Sequence, residues 1–129
     1  MNLEKTGPAR QKVLVVEDHE EMRRLILATL QLRDFDTETA IDAVSGFVKF
    51  NSFKPDLVLL DIMMPGVGDG LDLCRQIRAK AGDAVKIAFV TAKCENSDLA
   101  AGRRADADAY ITKPFSPIKL LENVDWLLV

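Results

Sequence analysis

Three stretches of uninterrupted apolar sequence constrain the fold more than any other feature: Val13-Leu14-Val15-Val16, Leu57-Val58-Leu59-Leu60 and Ile87-Ala88-Phe89-Val90. Each has the length of a β-strand, and none alternates with polar residues. That pattern belongs to strands buried on both faces, as in a parallel sheet. Two weaker strand candidates, Asp36–Ala40 and Ala109–Thr112, extend the set. The former alternates in polarity, which suits a sheet edge.

Helical patterns separate these strands. Met22, Leu25, Ile26, Thr29 and Leu30 recur at i, i+3, i+4, i+7 and i+8, the spacing of one helix face. Asp42 is a candidate N-cap for a second helix carrying Val44, Phe47 and Val48, which stops before Lys54-Pro55. A third starts near Gly70 and contains Leu73, Cys74 and Ile77. A fourth is predicted over 97–105, poorly anchored because Gly102 interrupts it and Leu99 is its only bulky apolar residue. The last opens with Ser116 as cap and Pro117 in the first position, followed by Leu120, Leu121, Val124, Leu127 and Leu128. Strands alternating with helices imply an α/β fold: an open, doubly wound sheet of five parallel strands with helices on both faces. In such sheets ligands bind at the carboxyl ends of the strands.

With 129 residues, almost half of them hydrophobic, the chain can bury one core. Residues 1–11, polar and containing Gly7-Pro8, read as a mobile leader to a domain over 12–129. The net charge of −3 argues against a nucleic-acid-binding surface. No apolar run reaches the roughly 18 residues that span a bilayer, and residues 1–11 lack the apolar stretch of a signal peptide. Cys74 and Cys94 lie too far apart for a CxxC motif and read as reduced thiols of a cytoplasmic protein. There is no G-x-G-x-x-G after the first strand and no P-loop, which disfavours nucleotide or flavin binding.

The strand ends carry the chemistry. The first long strand ends in Glu17-Asp18 and the third in Asp61. If those strands are neighbours, three carboxylates share one crevice. Two unit charges about 4 Å apart repel by about 4 kcal/mol at an effective dielectric of about 20, so such a cluster calls for a cation or raised pKa values. Oxygen ligands with room for water suit Mg²⁺. Any one acid alone would more simply cap the following helix; a pair and a third after separate strands point to a metal site. Lys113, followed by Pro114, places an ammonium after the last strand, and Thr91 places a hydroxyl at the end of the fourth.

Glu17-Asp18, Asp61 with Met64-Pro65-Gly66, Thr91-Ala92 and Lys113-Pro114-Phe115 stand in the order and approximate spacing of bacterial response-regulator receiver domains, and the chain resembles that family over residues 12 to 128. The resemblance implies a flavodoxin-like strand order 2-1-3-4-5. It implies that Asp61 accepts a phosphoryl group from a sensor histidine kinase or phosphotransfer protein. Mg²⁺ would be held by Glu17, Asp18, Asp61 and the backbone carbonyl of Met63, while Lys113 and Thr91 contact the phosphoryl group and Ala92 leaves it space. Thr91 and Tyr110 would be the switch pair, and the Lys113-Pro114 peptide would be cis. The output would leave by the face of the fourth helix, last strand and last helix, toward an output domain or partner, with a homodimer through that face as an option. Both a stand-alone regulator and the receiver part of a longer protein fit.

Several positions depart from the family's commonest pattern. Glu17 stands where Asp is usual, the Pro65–Gly70 loop is one residue longer, and Met63 and Lys93 flank the route of water to the acceptor. His19 reads as a solvated loop residue, Cys94 as a loop thiol, Arg103-Arg104 as a helix face, and Trp126 as a packing or interface residue. Tyr110 alone would read as a half-buried strand residue. Two other functions compete. A phosphatase of the haloacid-dehalogenase type needs an Asp two residues after the nucleophile, where this chain has Met63. A degenerate receiver that binds partners constitutively is opposed by the retention of Asp61, Thr91 and Lys113.

Overall fold

The computed structural model describes residues 10–64, 66, 68–92 and 106–129. The helix predicted over 97–105, together with Lys93, Cys94 and Arg103-Arg104, lies outside the described residues, as do residues 1–9 of the leader. The elements are β1 (Lys12–Val16), α1 (Glu20–Leu30), β2 (Asp36–Ala40), α2 (Ala43–Phe53), β3 (Leu57–Leu60), α3 (Gly70–Ala81), a 3₁₀ turn (Gly82–Ala84), β4 (Lys86–Thr91), β5 (Ala109–Thr112) and α4 (Pro117–Leu127). All strand pairs are parallel, in the order β2-β1-β3-β4-β5. This is the flavodoxin-like order implied by the resemblance, with the alternating Asp36–Ala40 segment at an edge.

The apolar runs are continuous because each feeds two cores at once. Successive strand residues point to opposite faces. Leu14, Val16, Val58, Leu60, Ile87 and Phe89 pack against Phe50 of α2 and Leu73, Cys74 and Ile77 of α3. Val13, Val15, Leu57, Leu59, Ala88 and Val90 pack on the other face against Ile26 and Leu30 of α1 and Leu120, Val124 and Leu127 of α4. Burial among these residues pushes the Cys74 thiol pKa up to about 11, so it stays protonated and unreactive at neutral pH.

Caps fix the helix boundaries. The Asp42 side chain accepts a hydrogen bond from the Ser45 amide at 2.8 Å, and the Asp42 amide donates back to the Ser45 hydroxyl. Asp69 and Asp72 form the same reciprocal box at the start of α3. Ser116 caps α4 ahead of Pro117. The buried side of α2 differs from the one read from its valines. Val44 and Val48 are 58% and 62% exposed, and Ala43, Gly46 and Phe50 face the core instead. Gly46 decides this: a Cβ there would meet Leu73 Cδ2 at 2.9 Å and Val16 at 3.2 Å, so the helix packs through its smallest residues and its valines turn outward. Arg10 and Gln11, assigned to the leader from sequence, are tied to the fold. Gln11 Nε2 donates to the Leu128 carbonyl, and Arg10 pairs with Asp34 and Asp36.

At the end opposite the candidate site, Arg78 of α3 joins three elements. Its guanidinium, 9% exposed, donates to the carbonyls of Gly82, Val85 and Asp106 and to Asp108 Oδ2 at 2.6 Å. Asp108 Oδ2 also accepts from the Ile87 amide at 2.7 Å. Arg78→Met should therefore lower the unfolding free energy by about 3 kcal/mol, because it strands several acceptors and a partly buried carboxylate; urea titration followed by circular dichroism measures it.

Candidate functional site

The site forms where four strands end, and the backbone carries the sheet pairing one step past each of them. The Glu17 amide donates to the Ala40 carbonyl, Asp61 to Val16 and Lys113 to Thr91, at 3.0, 3.2 and 2.9 Å. Side chains from residues up to 96 positions apart in sequence are thus brought to one rim. The Lys113-Pro114 peptide is cis, as the resemblance implies.

The Lys113 ammonium reaches over that rim and donates to Glu17 Oε1 at 2.6 Å and to Asp61 Oδ2 at 2.9 Å. Glu17 and Asp61 are buried, with side-chain exposures of 2% and 7%, and Lys113 is partly buried at 13%. Burial alone would depress the Lys113 pKa. Its hydrogen bonds to Glu17 and Asp61, reinforced by their charges, outweigh that effect and hold the pKa above the ordinary lysine value. The second Asp61 oxygen, Oδ1, accepts from the Met63 amide at 3.3 Å. Thr91 is buried, while Ala92 and Met63 are exposed. Asp61, Met63, Thr91, Ala92 and Lys113 line a cleft of about 860 Å³, bounded on its far side by His19 and the first turn of α1.

The outer wall is the Glu17-Asp18-His19 turn. Arg23 of α1 fixes its backbone by donating to the Glu17 carbonyl at 2.9 Å. Asp18 Oδ1 is buried and, among the described residues, has no hydrogen-bond partner; His19 Nδ1 lies 3.5 Å away without bonding geometry. A buried carboxylate oxygen without a donor is costly, and three carboxylates face one ammonium at this rim. Both facts fit a bound cation, and one oxygen or nitrogen from each of Glu17, Asp18 and His19 lies within 4.8 Å of the other two. The residues present therefore fit a divalent metal.

The structure thus gathers Glu17, Asp61 and Lys113 into direct contact, with Asp18, Met63 and Thr91 around them. Tyr110 sits apart from this contact set: on β5 it is half-buried, its ring 5.3 Å from that of Phe89. Two residues carry more than their sequence reading gave them. His19 turns its ring nitrogen toward the acidic pair. Gly70, read only as a helix start, lies under the acceptor loop. A Cβ there would stand 2.0 Å from the Asp61 carbonyl oxygen, and the Gly70 amide donates to Ile62 at 2.9 Å. The signal was a glycine nine residues after Asp61 at a helix start capped by Asp69.

The chain belongs to the response regulator receiver domain family, whose model matches residues 13–125. It is 39% identical over 115 residues to the DNA-binding response regulator MtrA of Mycolicibacterium paratuberculosis, covering 89% of this chain and 50% of that protein. It is 40% identical over 117 residues to the transcriptional regulatory protein ResD of Bacillus subtilis, covering 91% of this chain and 48% of that protein. The chain thus spans about half the length of these curated relatives. Among solved structures it superposes on a CheY-like response regulator receiver domain protein from Methanospirillum hungatei JF-1 with a TM-score of 0.87 and 27% identity, covering 93% of this chain and 94% of that one. Among the described residues, no helix is long and apolar enough to cross a membrane.

Two outcomes follow from the geometry. Gly70→Ala should force the Asp61–Met63 backbone to move and lower stability by about 2–3 kcal/mol, seen as a fall in the thermal midpoint. Lys113→Met should destabilise the fold at neutral pH by about 3–5 kcal/mol, because it leaves two buried carboxylates unpaired. Since the Lys113 pKa is raised in the folded state, the stability it contributes is fully present below 10.5 and is lost as pH rises through the folded value. Denaturant titrations of both proteins should show a constant gap from pH 7 to 10 that narrows above it.

Proposed function

We propose that this receiver is a phosphorylation-driven switch in which Asp61 accepts a phosphoryl group from the phosphohistidine of a sensor kinase or phosphotransfer protein. The observation that carries this reading is the partly buried Lys113 ammonium held 2.9 Å from Asp61 Oδ2 at the mouth of an open cleft. An Asp61 carboxylate oxygen attacks phosphorus, the P–N bond of the donor breaks, and the departing imidazole nitrogen keeps the electron pair and takes a proton. Lys113 meets charge on the transferring group, and the Thr91 hydroxyl is placed to donate to a phosphoryl oxygen, so catalysis rests on positioning and electrostatics. Glu17, Asp18 and Asp61, with the Met63 carbonyl, would hold Mg²⁺, which supplies further charge neutralisation when bound.

The aspartyl phosphate adds about −1.5 to −2 charge at neutral pH. The response passes through Thr91 and Tyr110 to the face of β5 and α4, where the output partner or domain docks. The names of MtrA and ResD, a DNA-binding response regulator and a transcriptional regulatory protein, support transcription as the output. They leave open whether it is exerted through a linked segment or a separate protein. Turnover of outside substrates is disfavoured because Met63, two residues after Asp61, offers no acid for the leaving group.

Incubation with acetyl phosphate, with and without Mg²⁺, tests the reading by intact mass. The expected result is a Mg²⁺-dependent gain of one phosphoryl group that is absent in Asp61→Asn. If neither acetyl phosphate nor a phosphorylated kinase transfers a group to wild type, the chain is a constitutive binding module instead.

A further inference from the structure

The chain contains a single histidine, and that residue occupies the N-cap position of α1 without using its side chain to cap the helix. The imidazole points instead at the acidic pair, with Nδ1 3.4 Å from Glu17 Oε2 and 3.5 Å from Asp18 Oδ1. The two oxygens of Glu17 are divided between tasks. Oε1 is taken by Lys113, whereas Oε2 accepts the His19 amide at 3.2 Å and faces the ring. Asp18 Oδ1 is the buried oxygen with no hydrogen-bond partner among the described residues. Two carboxylate oxygens and one imidazole nitrogen therefore converge on one small volume.

Their spacing is informative. Ligands about 2.0–2.1 Å from a common first-row ion lie about 3.0 Å apart when octahedral and about 3.4 Å apart when tetrahedral. The nitrogen-to-oxygen separations of 3.4 and 3.5 Å are close to the tetrahedral spacing. Mg²⁺ prefers oxygen ligands and water and draws little from an imidazole, whereas Zn²⁺, Ni²⁺ and Co²⁺ bind nitrogen strongly.

We propose that His19 is a further ligand of the cation site that includes Glu17 and Asp18, and that it shifts the selectivity of the site from Mg²⁺ toward nitrogen-binding first-row divalent ions. The inference rests on the reading, given above, that the acidic pair holds a cation, and it adds which cation the site ranks first. Such an ion, seated on the wall of the cleft, makes this receiver responsive to transition-metal supply as well as to its phosphoryl donor.

Because His19 is the only histidine, its ring nitrogens give an unambiguous signal in a long-range ¹H–¹⁵N spectrum of untagged, ¹⁵N-labelled protein. Zn²⁺ and Mg²⁺ are titrated separately into wild type, His19→Ala and Asp18→Asn, and affinities are taken from calorimetry on the same samples. Zn²⁺ is expected to shift the His19 Nδ1 resonance in wild type while Mg²⁺ leaves it in place. His19→Ala is expected to lose about tenfold or more in Zn²⁺ affinity and to keep its Mg²⁺ affinity. If Zn²⁺ moves the amides of Glu17 and Asp18 but not the imidazole, the ligand role of His19 is overturned and the oxygen-only cation site stands. A Zn²⁺ shift of the ring that persists at equal affinity in Asp18→Asn also overturns the proposal, because the histidine then binds zinc outside the cluster. If neither ion perturbs residues 17–19 or 61, the cation site itself fails, and the proposal fails with it.

Discussion

One ammonium bridging two buried carboxylates sets the terms for the rest of the molecule. Glu17 follows β1, Asp61 follows β3 and Lys113 follows β5, so the Lys113 side chain spans β4 to reach both. With strands about 4.8 Å apart, β5 and β1 are separated by about 14 Å, a gap that only two long side chains meeting partway can close. This gives a physical reason for glutamate at position 17: an aspartate, one methylene shorter, would not extend as far toward Lys113. Without the ammonium, Glu17 and Asp61 would be two buried like charges, an arrangement that proteins relieve by protonation or by a bound cation.

The sheet beneath is built to hold that rim still. Its central strands β1, β3 and β4 are apolar on both faces, and among the described residues the buried polar side chains are Glu17, Asp61 and Thr91 at the strand ends and Thr29 in α1. Thr29 is satisfied locally, its hydroxyl donating to the Leu25 carbonyl at 2.8 Å. Buried side-chain polarity is thereby concentrated at the strand ends, where a ligand can reach it, and the interior remains a packing problem alone. Gly46 and Gly70 serve the same arrangement from below. The first lets α2 settle onto Val16, the residue before Glu17, and the second lets α3 start against the carbonyl of Asp61.

Much of this was legible in the sequence, and the parts that were not have identifiable reasons. Uninterrupted apolar runs announce strands with two covered faces, and Asp42 and Ser116 mark helix starts because their side-chain oxygens satisfy amides that would otherwise lack partners. The acidic pair, Asp61, Thr91 and Lys113 could be grouped because strand ends gather ligands in this architecture. What periodicity misses is orientation decided by contact. Val44 and Val48 look like core residues until Gly46 brings its own side of α2 against the sheet. His19 is solvated as read, 74% exposed, yet the turn after β1 also turns its ring nitrogen toward Glu17 and Asp18. The pairing of Lys113 with Glu17 depends on strand order as well as composition, so the local sequence around either residue carries no trace of it.

The fastening of β5 bears on how a signal can leave the site. At its start, the Asp108 amide donates to the Ile87 carbonyl, and the Asp108 carboxylate is gripped by the Ile87 amide and by Arg78. At its end, the Lys113 amide donates to Thr91. Between these points the strand is paired residue by residue with β4, from Ala109 against Ala88 to Thr112 against Thr91. A strand pinned at both ends and along its length resists sliding, so a charge added at Asp61 acts most cheaply on side chains. Tyr110 is half-buried and stacked at a tilt on Phe89, and turning its side chain breaks none of these backbone bonds. On the proposed reading of Asp61 as phosphoacceptor, the rigid frame thus favours a switch made of rotamers over one made of strand displacement, with Tyr110 on the same strand that leads into Lys113.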